Sequence, residues 1–232
     1  MLDFHTHILP GVDDGSRNVD ESMQMLAKMK EQGVSQVVAT PHFYADDESV
    51  EAFLARRETA FQSLKDRPED SPDILLGAEV RYYEGISRMP DLKKLRVQNS
   101  RLLLLEMPFR PWSEYAVREV IDIACQGGIT PVIAHVERYL FLQRKDVAAR
   151  LLNNGVLFQV NSTFFTGWRL RRRAMNMLRQ GQIHFVGSDC HNLYDRPPNI
   201  SEAFSLVRRR FGSEFADAFA DHGRELLRNN NR

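Results

Sequence analysis

Residues Leu102–His135, LLLLEMPFRPWSEYAVREVIDIACQGGITPVIAH, decide the fold. An apolar run of strand length ends at Glu106, and a polar loop follows it. Ser113 then stands where it can cap a helix. Val117, Val120, Ile121 and Ala124 keep the i, i+3, i+4, i+7 spacing of one buried face, and Gly127 follows the helix end. A second apolar run, Thr130–Ala134, stops at His135. Runs that are apolar nearly throughout read as strands covered on both faces, and a strand–helix–strand unit makes such strands parallel.

The same unit recurs on either side. The other runs are Leu2–Ile8, Gln36–Pro41, Ile74–Val80, Val156–Val160 and Ile183–Gly187. Asn18, with Glu21 three residues on and Gly33 beyond, marks a first helix. Leu170, Ala174, Met177 and Leu178 before Gly181 mark another, and two more are expected over 201–211 and 213–228. Strands alternating with helices imply a parallel sheet with right-handed crossovers. About seven such units predict an incomplete or distorted (β/α)7-type barrel, one domain over residues 1–232.

Composition removes several function classes. The 31 basic and 31 acidic side chains balance, which argues against a non-specific nucleic-acid binder. Two cysteines, Cys125 and Cys190, are too few for a disulfide framework or a structural zinc site. The first residues lack the basic and apolar regions of a signal peptide, and no run of about 18 apolar residues spans a membrane. A cytoplasmic protein is expected.

Imidazoles and carboxylates collect at one place in each unit, the C-terminal end of a strand. His5 and His7 stand two apart, so they project to one face. His42, Glu79, Glu106 and His135 each close an apolar run, and Asp189 and His191 form a second i, i+2 pair. Any one of these alone reads as a loop residue or helix cap; their coincidence on the rim where barrel active sites are built points to a metal site. His184, within a strand, and His222, on the last helix, are left outside it. Imidazole and carboxylate without thiolate favour Mn, Fe or Zn, and so many ligands suit two or three ions rather than one. Such a cluster lowers the pKa of a bridging water to about 7 and clamps the oxygens of an in-line phosphoryl displacement.

The combination His5-Thr-His7, Asp13-Asp14-Gly15, Thr40-Pro41-His42, Gly77-Ala78-Glu79, 133–139 (Ile-Ala-His-Val-Glu-Arg-Tyr) and 188–192 (Ser-Asp-Cys-His-Asn) resembles the PHP (polymerase and histidinol phosphatase) superfamily. More narrowly it resembles the bacterial metal-dependent protein tyrosine phosphatases of capsule and exopolysaccharide operons. The resemblance implies three ions, Mn first and Fe or Zn as alternatives. His5, His7, Glu79 and Asp189 would hold one; Glu79, as a bridge, with Glu106 and His135 a second; Asp14, His42 and His191 a third. It also implies that Arg138 and Arg196 bind phosphate, a role that suits a permanently charged guanidinium fork. The alternative for those two is pairing with Glu137 or Asp195 on the rim. The implied substrate is a tyrosine-phosphorylated protein, the C-terminal tyrosine cluster of a membrane-associated bacterial tyrosine kinase that controls polysaccharide export.

Other readings stay open. A PHP phosphoesterase acting on histidinol phosphate would share the ligand set, and a non-catalytic adaptor would bind kinase tails without hydrolysis. Cys190 and Arg196 also have the Cys-x5-Arg spacing of thiol-dependent tyrosine phosphatases. The intervening His-Asn-Leu-Tyr-Asp contains no glycine to let backbone wrap a phosphate, and Pro197-Pro198 follows where a helix should begin. Cys190 is therefore expected to point away from the metals, between two ligands. The basic run Arg169, Arg171, Arg172 and Arg173 reads as a solvated helix face or as a guide for an anionic tail.

Overall fold

The computed structural model describes residues 1–229; the last three positions of the expected 1–232 domain lie outside the described residues. The seven apolar runs form nine strands, because two of them bend. The second run forms β2 (Gln36–Ala39) and is continued past its end by β3 (His42–Phe43), and the third becomes β4 (Asp73–Leu76) and β5 (Glu79–Arg81). The first bend lies at Thr40-Pro41, where proline offers no N–H to a ladder. The second lies at Gly77-Ala78, where a Cβ on Gly77 would come within 3.2–3.3 Å of Val38, Thr40 and Val97. Pairing nevertheless runs on through both, by Gly77 N–H to Ala39 O (2.8 Å) and Glu79 N–H to Pro41 O (3.0 Å).

The remaining strands are β1 (Leu2–Thr6), β6 (Leu102–Glu106), β7 (Thr130–Ile133), β8 (Leu157–Asn161) and β9 (Phe185–Gly187). They run in the order β1-β2-β4 and β3-β5-β6-β7-β8-β9, with every pair parallel. The segment after β9 returns to the first strand: Asp189 donates its N–H to His5 O (2.8 Å), and His7 donates to Cys190 O (3.0 Å). The sheet thus curls into the distorted parallel barrel that the sequence implies.

Helices α1 (Val19–Glu31), α2 (Val50–Gln62), α3 (Glu114–Cys125), α4 (Val147–Asn153), α5 (Ser162–Thr166) and α6 (Arg171–Arg179) lie in the connections, and α7 (Ile200–Phe211) and α8 (Ser213–Asn229) follow the last strand. Asn18 caps α1 by accepting from Glu21 N–H (3.0 Å), and Ser113 caps α3 by accepting from Ala116 N–H (3.1 Å). Three helices, α2, α4 and α5, carried no clear periodic signal. Two of them are only seven and five residues long, and α2 buries just Val50, Phe53 and Ala60.

Alternation along the strands divides the core in two. Leu102 and Leu104 join Leu2, Phe4, Val38, Val132 and Phe185 in an inner cluster, whereas Leu103 and Leu105 pack with Val117 and Val120 of α3 in an outer one. Phe4 and Phe185 stack at 3.8 Å between centroids, and Leu227 of α8 joins them. The inner cluster draws on the early part of β1 and β6, so it floors the barrel and leaves the C-terminal strand ends to polar side chains. No helix among the described residues is long and apolar enough to cross a membrane.

Candidate metal centre

Glu79 is the hub of the mouth. Its Oε2 lies 3.1 Å from His5 Nε2, 3.3 Å from His7 Nε2 and 3.2 Å from His42 Nδ1, and its Oε1 lies 2.8 Å from His135 Nε2. Asp189 Oδ1 stands 3.6 Å from His5 Nε2 and 3.5 Å from His7 Nε2. Asp14 Oδ1 bridges His42 (3.5 Å) and His191 (3.4 Å), and Glu106 Oε1 approaches His135 at 3.8 Å. All nine side chains expected as ligands therefore meet at one mouth. Glu79, His5 and His7 are buried, while Asp14 stands on the rim, 67% exposed. His184 lies apart, with Nδ1 accepting Phe158 N–H (3.1 Å), and His222 is exposed.

The geometry partitions these donors a little differently from the expected three sets. Three groups have their donor atoms within 4.8 Å of one another: His5, His7 and Asp189; His7, Asp14, His42 and His191; and His42, Glu79 and Glu106. His7 thus faces the rim group as well as the deep one. His42 joins Glu79 and Glu106, beside which His135 also stands as expected, 2.8 Å from Glu79 Oε1 and 3.8 Å from Glu106 Oε1.

Neighbours fix which nitrogen of each ring faces the centre. Asp13 Oδ2 accepts His7 Nδ1–H at 2.6 Å, and Gln159 Oε1 lies 3.3 Å from His5 Nδ1. With those protons placed, the Nε2 lone pairs of His5 and His7 confront each other at 3.1 Å. Only a proton or a cation between them relieves that contact. His191 donates Nδ1–H to Asp189 O (3.0 Å), which leaves its buried Nε2 without a hydrogen bond, as is His42 Nδ1. Orphaned imidazole nitrogens beside carboxylates fit divalent cations.

Protonation in the metal-free protein follows the same contacts. Burial would lower the pKa of His5 and His7, but Glu79 and Asp189 around His5, and Asp13 against His7, outweigh it and raise both. Burial would raise Glu79 and Asp189, yet the surrounding imidazoles hold both well below the carboxylate range. Burial, then the Glu79 charge, pushes Glu106 up to about 7. Coordination needs neutral imidazole, so a cation held by His5 and His7 would have to displace their protons.

The backbone carries strain here. His135 (φ 29°) and Asp189 (φ 54°) are left-handed without being glycine. Such residues cost roughly 1–3 kcal/mol each and persist where the surroundings over-determine them. Asp189 is held by its N–H to His5 O and by Asn161 Nδ2–H to Oδ2 (2.8 Å). Tyr139 Oη lies 3.1 Å from His135 Nδ1.

Arg138 and Arg196 also reach the centre, but neither pairs with Glu137 or Asp195. Both grip Asp189, Arg138 Nη2 to Oδ2 at 2.8 Å and Arg196 Nη2 to Oδ1 at 2.6 Å. Each side chain stays about two-fifths exposed, so neither arginine is enclosed by its contact with Asp189. Beside Glu106 and Arg138 opens a cavity of about 430 Å³ lined by Tyr44, Arg81, Phe109 and Tyr139. Cys190 belongs to the outer core, fully buried, and burial holds its thiol protonated.

Asp13, Gln159 and Tyr139 are parts of the site that the strand-end pattern did not single out. Asp13 has a partial signal, the doublet Asp13-Asp14-Gly15. Its carboxylate also accepts His42 N–H (2.9 Å) and Gly15 N–H (3.0 Å), so it orients two rings and the loop at once. Asp13→Asn is expected to weaken metal affinity about 10–100-fold while the fold survives. Titration of the apo-protein with Mn checks this; an unchanged affinity would show that Asp13 does not orient His7.

A parallel α/β barrel with several candidate cation-binding groups at its mouth is the class of protein that fold and site define. The chain belongs to the CpsB/CapC family of capsular polysaccharide synthesis, whose description residues 1–228 match. It is 32% identical over 244 residues to the tyrosine-protein phosphatase CpsB of Streptococcus pneumoniae, covering 98% of each chain. Against the tyrosine-protein phosphatase YwqE of Bacillus subtilis (strain 168) it is 32% identical over 242 residues, covering 99% of this chain and 92% of that one. A solved structure from work on YwqE and CpsB, described as unique metal-dependent tyrosine phosphatases, superposes with a TM-score of 0.84 at 28% identity, covering 99% of this chain and 95% of the other. A putative histidinol phosphatase from Listeria monocytogenes shares the fold at a TM-score of 0.51 and 14% identity.

Proposed function

We propose that this chain is a metal-dependent protein tyrosine phosphatase. The observation that carries the reading is Glu79, one buried carboxylate within 3.3 Å of four imidazoles. His5, His7, Asp14, His42, Glu79, Glu106, His135, Asp189 and His191 would hold two or three divalent ions, Mn first and Fe or Zn as alternatives. Bound there, the ions supply a hydroxide at neutral pH and a clamp for phosphoryl oxygens. Arg138 and Arg196 then serve as the phosphate-binding residues, their free N–H groups taking the non-bridging oxygens while Asp189 anchors them.

The cavity beside Glu106 and Arg138 supports an aryl ester. Tyr44, Phe109 and Tyr139 give it an aromatic lining, and Phe109 is 68% exposed. A phenyl ring gains stacking area there that an imidazolyl alkyl chain gains less well. The named relatives act on phosphotyrosine, and the family link to capsule synthesis makes a capsule- or exopolysaccharide-controlling tyrosine kinase the fitting phosphoprotein partner. A cytoplasmic location suits such a partner's tail. The whole of 1–232 would act as one domain.

The test compares turnover of a phosphotyrosyl peptide with that of histidinol phosphate on metal-loaded protein. The peptide is expected to be preferred, a chelator to abolish turnover, and Cys190→Ser to retain most of it. Faster hydrolysis of histidinol phosphate would overturn the substrate, and no hydrolysis of any phosphoester by metal-loaded protein would favour the adaptor reading. Chelator-resistant turnover lost in Cys190→Ser would bring back the thiol mechanism.

A further inference from the structure

We infer that the groove between α6 and α7 is a second binding site, one that docks an acidic or phosphorylated stretch of the substrate's peptide chain flanking the phosphotyrosine. This rests on the phosphatase reading above and concerns a surface outside the metal centre. The chain is neutral as a whole, yet residues 168–179 carry five arginines and no acid, and α7 adds Arg208, Arg209 and Arg210. The two helices wall a cavity of about 650 Å³ whose lining includes Trp168, Arg171, Arg172, Met175, Arg209 and Arg210.

The cationic groups are free to meet a partner. Among the described residues, Arg208 alone of α7's three has a carboxylate beside it, Asp217 at 2.7 Å. Arg171 is pinned on neutral atoms, donating to Phe165 O and Thr166 O at 3.1 Å each, so it is held in place with its charge uncompensated. Trp168 is 78% exposed with Arg169 stacked 4.9 Å from its ring centre, and Leu170 beside it is 46% exposed. Exposed tryptophan next to arginine is the composition of a binding hot spot rather than of a merely solvated helix.

Position ties the groove to the mouth. Asn161, which donates to Asp189 Oδ2, ends β8, and α5 follows at once. Trp168 lies seven residues beyond Asn161. Five residues of helix and two extended ones reach at most about 15 Å. An extended peptide covers that with about five residues, so a negative charge that far from the scissile tyrosine falls on the arginines. The concave form between two helices favours a peptide over a flat anionic membrane, which would meet a protruding face.

The experiment uses the metal-loaded full chain and two phosphotyrosyl peptides identical around the scissile residue. One carries Glu or phosphotyrosine about five residues away, the other Ser; 4-nitrophenyl phosphate, too small to reach the groove, is the reference. The wild type is expected to show a KM about tenfold lower for the acidic peptide, the factor two or three exposed ion pairs supply. Salt should erase the difference, with kcat unchanged. The surface double variant Arg172→Glu/Arg209→Glu should lose the preference and keep full turnover of 4-nitrophenyl phosphate. Retention of the preference in that variant would overturn the proposal. So would equal KM values accompanied by sedimentation of the wild type, but not of the variant, with phosphatidylglycerol vesicles. If the wild type turned over no aryl phosphate, the phosphatase reading would fall, and direct titration of both peptides against wild type and variant would still decide the groove.

Discussion

Glu79→Gln is expected to strip bound metal and phosphoester turnover together, each by about 100-fold or more, while the protein stays folded. Partners one layer out from a metal typically change affinity or activity about 10–100-fold, and Glu79 stands closer than any of them. Its two oxygens face four imidazole nitrogens at 2.8–3.3 Å. The amide keeps the shape but brings an N–H₂ toward one side of that ring and removes the negative charge on which two neighbouring ions would depend. Metal analysis and kinetics on one preparation, with circular dichroism as the folding control, measure the effect. Turnover equal to wild type would be incompatible with a bridging carboxylate.

The second large effect is expected from a single methyl group. Gly187→Ala places a Cβ 2.5 Å from His5 Cβ, 2.9 Å from Gln159 Nε2 and 3.0 Å from His5 N. Two of those atoms are backbone or Cβ, so no flexible side chain can swing away. The backbone of β1 at His5 must therefore shift away from β9, which carries the His5 ring off its Gln159 contact. Overpacking of this kind costs about 1–3 kcal/mol of stability. The diagnostic consequence is at the mouth, where a shift of about 1 Å in a catalytic group can cost about 100-fold in rate. Thermal unfolding with metal titration resolves the two effects. A Gly187→Ala protein with wild-type melting, metal content and turnover would mean that β9 does not press on His5.

Much of this was readable beforehand because strand ends in a parallel barrel obey one rule. Glu106, His135, Asp189 and His191 close or follow apolar runs, His5 and His7 lie in the first run, and His42 and Glu79 stand just past the two bends, where they open β3 and β5; all converge on the mouth. Asp14 required resemblance, since a loop carboxylate has no periodicity to betray it. Asp13 and Gln159 act through hydrogen bonds to rings distant in sequence, and residue type alone does not reveal such pairing. The grip of Arg138 and Arg196 on Asp189 was likewise invisible, because it joins side chains 51 and 7 positions apart that no periodicity relates. The bends at Pro41 and Gly77 split two runs that read as continuous. Apolar character, like the pairing itself, persists through a bend, so the pattern of residues does not mark it.

The meeting of the chain's first and last strands bears on biosynthesis. His5 and His7 leave the ribosome some 180 residues before Asp189 and His191. At about 5–20 residues per second, that interval is roughly 10–40 s. Through that time the N-terminal imidazoles have no Asp189 opposite them and no closed ring to hold them, so a nascent chain offers passing ions only a fragment of the cage. With the nine side chains as the proposed ligands, loading would be a late event, timed by the emergence of the final strand, and the ion would be selected by a nearly finished barrel rather than by His5 and His7 alone.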